Sequence, residues 1–357
     1  MAERMHSRLV KRFKPCGEIT RISEGDFIRL KDGRILFACS CFRGGTGDDM
    51  RAEVAGWISS DEGETWGGMR VLLSPETLHV NNVMSVNFLR MENGDIGLFV
   101  VAKPDDRIYR IVLVRSCDEG MHFDRVTDCQ KNMAVGQYVL NNSRVIRLKT
   151  GRILLPLAYH RVNVLPDGKA YKDGRAVAVF IYSDDDGETW TESPDTLAMP
   201  FPLSRSGLQE PGVLERADGA LYAYFRTDLH AQWEAYSFDQ GLHWTAPQPS
   251  RFTSPLSPMK LARDSKGRIV AVWNPVPNYN GRDITSAGWG RTPLVTAWSE
   301  DDGKTWTEME IVEDEPGHGY CYPAVFFTRD GMLMSYCSGG PDEGSCLAET
   351  TIRKWVW

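Results

Sequence analysis

One eight-residue phrase, repeated, restricts what this chain can fold into more than any other feature. "SDDDGETW" at residues 183–190 is echoed by "SSDEGETW" at 59–66 and "SEDDGKTW" at 299–306, with looser copies "SFDQGLHW" at 237–244 and "SCDEGMHF" at 116–123. Serine, aspartate, glycine and threonine at these offsets make a self-contained turn. The Ser and Asp oxygens accept hydrogen bonds from the turn's own amides, glycine supplies a positive φ, and the closing aromatic covers a neighbouring core. A calcium loop is the competing reading, because acidic residues precede a glycine. It fails on ligand spacing: the donor positions before Gly187 hold Asp186, Asp184 and Tyr182, and no bidentate glutamate follows on schedule. Apolar, β-rich segments such as "AVAVFIYS" and "PLVTAWS" run into the phrase, which therefore reads as a hairpin.

The first serines of the copies are separated by 57, 67, 54 and 62 residues. A second, independent motif keeps the same beat. It is a glycine turn ahead of an apolar strand, at Gly33, Gly94, Gly151, Gly219, Gly267 and Gly331. Six such turns and five hairpin phrases, each repeat long enough for about four strands, predict an all-β, six-bladed β-propeller with antiparallel blades. The sixth repeat lacks the hairpin phrase, and the N-terminal "HSRLVKRF" is expected to supply the missing outer strand and close the ring. No linker, low-complexity tract or charge block interrupts the repeats, so one domain spanning 1–357 is expected. Radial repetition accommodates that length.

Composition serves mainly to exclude. A net charge of −7 argues against a nucleic-acid partner. No apolar run approaches the ~20 residues that span a bilayer, and the N-terminal stretch lacks the apolar core of a signal peptide. A cytoplasmic protein without membrane contact is therefore expected. The eight cysteines show no Cys-x-x-Cys pair and no Cys/His ligand spacing; they read as free, mostly buried thiols, with no metal and no cofactor. Oligomeric state is left open.

Repetition also indicates where function belongs. If the first strand of each blade descends into the glycine turn and the third into the hairpin phrase, both sets of turns lie on one face. Chemistry then gathers on the opposite face, around the central funnel. Nine residues before each turn glycine, where the first strand begins, stand Glu24, Ser85, Asn142, Glu210, Pro258 and Tyr322. A purely structural funnel favours small or apolar residues there. Four of the six are polar and two are carboxylic, which points to a ligand site.

The repeated phrase resembles the Asp-box, or BNR repeat, of sialidases and their relatives, and its copies cover essentially the whole chain. The resemblance implies an exo-glycosidase that removes a terminal acidic sugar from a glycan. Its machinery would be a tyrosine nucleophile partnered by a glutamate, an aspartate acid/base, and three arginines gripping the substrate carboxylate. Tyrosine is the recognised exception to two-carboxylate glycosidase chemistry. "GYCYPAVFFTRDG" resembles the nucleophile segment and places Tyr322; "EPGVLERADGALYAYFR" resembles the glutamate segment and places Glu210, with Arg226 as the second arginine. "GRTPLVTAWSEDDG" places Arg291 as the third, and the loop "RGGTGDDMRAE" holds Asp48 and Asp49 in the acid region, Asp49 aligning a little better.

The first arginine is a departure. The family opens its first blade with Arg-Ile-Pro, whereas "ISEGDFIRLKDG" puts Ser23 and Glu24 at those positions and Arg21 two or three residues early. A glutamate there repels a substrate carboxylate, and the lost ionic pairing costs on the order of 1.5–3 kcal/mol. Arg144, on the same side of its strand as Asn142, is the expected compensating cation. Trp233, Trp273 and Trp289 fall near strand ends or loops on that face, placed either to stack on a sugar ring or to cap blades. Two alternatives stay open: a related propeller glycosidase acting on a non-sialic sugar through paired Glu24 and Glu210, and a non-catalytic glycan-binding propeller.

Overall fold

Each repeated phrase folds as the turn its residues dictate. In the first copy, Ser59 Oγ accepts the Gly63 amide at 2.9 Å and Asp61 Oδ1 accepts the Thr65 amide at 2.9 Å. The Thr65 hydroxyl donates to Asp61 Oδ2, and the Trp66 indole N–H donates to the Gly63 carbonyl at 3.2 Å. The same contacts recur around Asp185 and Asp301. In the looser copies an imidazole takes the place of the threonine hydroxyl: His122 lies 2.6 Å from Asp118, and His243 lies 2.7 Å from Asp239. Glu62 and Gly63 have φ of 56° and 87°, the pair of positive values a type I′ hairpin turn demands.

The computed structural model describes residues 7–105, 107–130, 135–279 and 281–357. Among them there is no α-helix, only a short 3-10 turn at Pro75–Leu78. Three sheets are separate antiparallel four-strand meanders. One comprises Gln209–Glu215, Leu221–Arg226, Ala231–Ser237 and Gln248–Thr253. The next comprises Lys260–Arg263, Ile269–Trp273, Leu294–Ser299 and Glu310–Glu313. The last is built from Gly319–Phe327, Gly331–Gly339 and Glu349–Val356, completed by Ser7–Phe13 from the other end of the chain. In that closure Ser7 sits opposite Trp355 and Phe13 opposite Thr350; His6, the first residue of the expected closing segment, lies outside the described residues.

The remaining strands form a five-stranded sheet around Ile153–His160, a two-stranded ribbon (Val162–Val164 with Ala170–Lys172), and an eight-stranded sheet running from Ile19–Arg29 to Arg125–Asp128. The all-β propeller expectation holds. The expectation of six separate four-stranded blades is corrected: a parallel bridge between Ala52 and Asn82 fuses two consecutive meanders into the eight-stranded sheet. Gln209–Glu215 touches Lys260–Arg263, which touches Gly319–Phe327, and Gly319–Phe327 contacts Ile19–Arg29, so that the end of the chain meets its beginning around an axis.

The core lies between neighbouring sheets, and the closing aromatics of the turns help to fill it. Trp190 meets Phe99 edge-on at 5.9 Å, Trp244 stacks on Phe180 at 4.1 Å, and Trp306 meets Phe252 at 5.3 Å. In each case the tryptophan reaches back to the preceding sheet. The turns therefore fasten sheet to sheet on the face away from the funnel.

Candidate active site

At the axis four of the innermost strands share one irregularity. Register slips occur between Ser23 and Asp26, Met84 and Asn87, Gln209 and Gly212, and Cys321 and Ala324. Each slip contains a non-glycine residue at positive φ: Glu24 (61°), Ser85 (61°), Glu210 (45°) and Tyr322 (56°). Such a conformation costs roughly 1–3 kcal/mol per residue, so it persists only where the surroundings enforce it. Its effect is to turn a side chain out of the strand's alternation. All four face one cavity of about 310 Å³. They are also four of the six residues that stand nine positions ahead of a turn glycine.

One wall of the cavity is built on Tyr322. Its hydroxyl donates to Glu210 Oε1 at 2.9 Å, and the same oxygen accepts Arg226 Nη1 at 2.7 Å. Arg226 Nη1 also lies 3.3 Å from the phenol oxygen. Arg291 packs over the rings of Trp289 and Tyr322, at 4.7 and 5.5 Å from their centroids. Burial, reinforced by the Glu210 charge, pushes the Tyr322 phenol well above its ordinary range, with Arg226 and Arg291 pulling the other way. The resting phenol is therefore protonated, and it has a carboxylate in hydrogen-bond contact. Glu210 Oε2 and Arg226 Nε have no hydrogen-bond partner although both are buried, which leaves polar valence for a ligand.

The opposite wall is organised by Arg21. Two register slips, at Ile19/Arg21 and Ser23/Asp26, bring its guanidinium beneath the cavity rim, against the expectation that it lies too early in the strand. It donates to Glu24 Oε1 at 2.9 Å and to Asp48 Oδ1 at 2.6 Å, and its plane covers the Phe42 ring at 4.2 Å. Ser85 Oγ donates to the other oxygen of Glu24 at 2.6 Å. Burial pushes the Glu24 carboxyl up to about 7 despite the opposing charge of Arg21. Asp48 goes the other way: burial works to raise it, but Arg21 and Lys103 outweigh that and hold it below the usual range. One guanidinium thus serves two carboxyls whose proton affinities are pushed in opposite directions.

Several expected site residues are elsewhere. Asp49 is exposed and outside the cavity; Asp48 faces it instead, because Lys103 Nζ, at 2.7 Å, and Asn82 fix the Asp48 carbonyl. Arg144 does not compensate for a missing arginine: it is buried between sheets, donating to Tyr224 Oη at 2.6 Å and stacked on that ring. Asn142 holds backbone, its Nδ2 donating to the carbonyls of Gly25 at 2.8 Å and Tyr322 at 3.2 Å. Trp233 is a core residue packed with Phe225 and Trp244, and Trp273 is likewise buried, against Phe252. Trp289 does line the cavity and is 41% exposed.

The cavity also contains residues the motifs do not mark. Lys103 is buried there, and burial lowers its pKa to about 8. Lys172 reaches in from the two-stranded ribbon, which has no counterpart in the repeat. His160 is pushed down to about 4 by burial, with Lys172 adding to the effect, so it is neutral at ordinary pH.

An all-β propeller with a tyrosine, two carboxyl walls and two arginines converging on its axis is the class of protein these observations define. The chain belongs to the BNR repeat-like domain family, which matches residues 33–334. Anhydrosialidase from Macrobdella decora is 26% identical over 196 residues, 51% of this chain. That match spans only 22% of the length of the curated relative. Solved structures share the fold at low identity. A Dyadobacter fermentans protein of unknown function has TM-score 0.72 at 17% identity, covering 98% of this chain and 99% of its own. Trypanosoma rangeli sialidase in complex with 2,3-difluorosialic acid, a covalent intermediate, has TM-score 0.72 at 16% identity, covering 98% and 59%. The leech intramolecular trans-sialidase complexed with 2,7-anhydro-Neu5Ac has TM-score 0.71 at 15% identity, covering 99% and 70%.

Proposed function

We propose that this protein is a sialidase-like exo-glycoside hydrolase that removes a terminal acidic sugar from a glycan, with Tyr322 as nucleophile and Glu210 as its base. The observation that carries this reading is the triangle of Tyr322 Oη, Glu210 Oε1 and Arg226 Nη1, with every edge at or below 3.3 Å. A phenol ionises only near pH ~10 in water, so it needs a base in contact to attack at neutral pH. As the phenol oxygen bonds to the anomeric carbon, its proton passes to Glu210 and the bond to the leaving group breaks. A nucleophile that is neutral before attack also suits a sugar carrying its own carboxylate, which repels a charged one. Arg226 and Arg291 bind that carboxylate.

Protonation of the leaving group falls to the opposite wall. Glu24, pushed up to about 7, retains a proton toward neutrality, while Asp48 is the more exposed partner at the rim. Because Arg21 is committed to these two carboxyls, Arg226 and Arg291 are the arginines left for the substrate acid group, with Lys172 adding positive charge to the cavity. Ordinary sialosides should therefore be weak substrates, and sugars with altered groups near the anomeric carbon better ones. The name of the Macrobdella relative supports a sialic-acid-like ring. The proton on Glu24 favours the second reading, a propeller glycosidase pairing Glu24 with Glu210 on a non-sialic sugar, to the extent that neutral or uronic substrates are turned over.

In this reading the eight-stranded sheet counts as two blades and the five-stranded sheet as one, giving six blades in a single domain over 1–357. A panel of aryl glycosides that includes a sialic acid and several uronic acids tests the assignment. Cleavage of an acidic member, abolished in folded Tyr322→Phe, is the expected result. Binding without cleavage of any member by the wild type would leave a glycan-binding propeller.

A further inference from the structure

Beneath the cavity, three cysteines of the last sheet meet. Cys321 and Cys337 are opposite one another on adjacent strands, and Cys346 joins them from the loop before Glu349–Val356. All three are buried free thiols. The cluster touches the site at two points. Arg291 Nη1 donates to Cys321 Sγ at 3.1 Å, and the Glu24 backbone amide donates to Cys337 Sγ at 3.4 Å. Cys321 also immediately precedes Tyr322.

Arg291 explains why this matters. Its guanidinium is only 2% exposed, yet it has no carboxylate at salt-bridge distance among the described residues; Glu210 is bonded to Arg226 instead. Its polar contacts are the Leu256 carbonyl, at 3.3 Å from Nε, and the Cys321 sulfur. Trp289 and Tyr322 cover its faces. A buried cation without a counter-ion is costly, because protein dipoles replace its lost hydration poorly. Of the two polar groups it touches, only the thiol can become an anion, by releasing its proton to water. We propose that Cys321 is a thiolate in the folded protein, the built-in counter-ion that positions Arg291 beside Tyr322.

The surroundings of the sulfur fit that state. Burial alone would raise the Cys321 thiol, but the neighbouring Cys337 and Cys346 thiols, together with the Arg291 charge, bring it well below the ordinary thiol range. Cys337 is pushed up by burial and by its bond to Cys321; Cys346 is pushed up by its bond to Cys321 and then by burial. The other charged groups near the cluster are Glu24 beside Cys337, Arg21 acting on Cys346, and Glu210 beyond Arg291. The inference needs only the fold and stands apart from the hydrolase reading.

Thiolates absorb in the far ultraviolet where thiols do not, which makes the proposal testable without a substrate. At about pH 7, where an ordinary thiol of pKa ~8.5 is almost wholly protonated, the folded wild type should show the absorbance of one thiolate. That absorbance should disappear on acidification and on unfolding at constant pH. It should be absent from folded Cys321→Ser and reduced in Arg291→Met, but retained in Cys346→Ser. No change in wild-type absorbance on unfolding overturns the proposal even if the variants fail to fold, as does equal absorbance in wild type and folded Cys321→Ser. With an acidic substrate in hand, Cys321→Ser should raise KM several-fold more than it lowers kcat, a split that general destabilisation would not produce. If no substrate is found, the absorbance measurements still decide.

Discussion

The two faces of this propeller use the same backbone device in opposite ways. On the face of the repeated turns, Glu62, Glu119, Asp186, Gln240 and Asp302 hold positive φ without being glycine. On the funnel face, Glu24, Ser85, Glu210 and Tyr322 do the same. In the turns the backbone is held mainly within eight residues, by one serine hydroxyl and one aspartate carboxylate of the same hairpin, with Asp186 and Asp302 also accepting the amides of Glu92 and Ala217 from neighbouring sheets. In the funnel the strain is offset by other strands, some of the same sheet and some of other sheets. Ser85 donates its amide to Ser40 Oγ and its hydroxyl to Glu24, Glu210 is held by Tyr322 from another sheet, and Asn142 secures the Tyr322 carbonyl. The comparison separates strain held mainly by its own hairpin, which serves as scaffold, from strain held by side chains of other strands, which ties distant residues into one site.

The largest effect that could break this distinction is at the nucleophile. Tyr322→Phe deletes one hydroxyl and should lower turnover at least about a hundredfold with the far-ultraviolet circular dichroism spectrum and melting intact. Full activity in that variant would mean the shared network is structural after all. Glu210→Gln should cost about 10²- to 10⁴-fold, and combining it with Tyr322→Phe should add little, because the two act as one unit. Additive losses would show that they work independently.

The turns should behave in the opposite manner. Asp185→Ala should cost about 1–3 kcal/mol of stability in denaturant unfolding, while activity per folded molecule stays unchanged. Asp61→Ala and Asp301→Ala should add to it, since distant sites are independent. A variant with native melting and no turnover would move a turn into the chemistry.

A smaller effect concerns pH. Glu24 rises from an ordinary 4.5 to about 7 on folding, so the folded state binds this proton more tightly than the unfolded one. Its contribution to stability is complete below 4.5 and is lost as pH climbs through 7. Glu24→Gln should remove that loss, and a variant whose stability tracks the wild type across the window would show that Glu24 does not carry it. Smallest of all, Lys172→Ala should weaken binding of an acidic sugar a few-fold, because the residue is exposed and its charge is screened. A tenfold or larger loss in binding assays would promote the ribbon to a principal part of the site.

The same distinction accounts for what could be read from the sequence. A turn whose partners lie within eight residues is written whole, so its hydrogen bonds could be anticipated. The period then carried Glu24, Ser85, Glu210 and Tyr322 to one face at a constant offset. Periodicity does not foresee register slips, and the reading of Arg21 as too early fails because the slip between Ser23 and Asp26 lies between it and Gly33, the glycine from which the offset is counted. Strand alternation assigns a side but does not say whether that side meets the axis or the next sheet. Arg144 and Trp233 were lost to that ambiguity, both being packed between sheets. Lys172 sits on an inserted ribbon that the repeat does not contain, and nothing at Cys321 marks a sulfur as the neighbour of an arginine thirty residues away.

The strand Ser7–Phe13 completes the sheet that contains Glu349–Val356. Until that pairing forms, one sheet has a vacant edge and the other end of the chain carries the piece that fits it. Every molecule in a population carries both halves of this joint, so two partly folded copies can satisfy each other as well as themselves. Which outcome wins is a contest of concentrations: the tethered strand is confined near its own edge, and a foreign one is supplied only by bulk solution. Dilute refolding therefore favours closure within one chain, whereas crowded refolding favours exchange of the strand between chains.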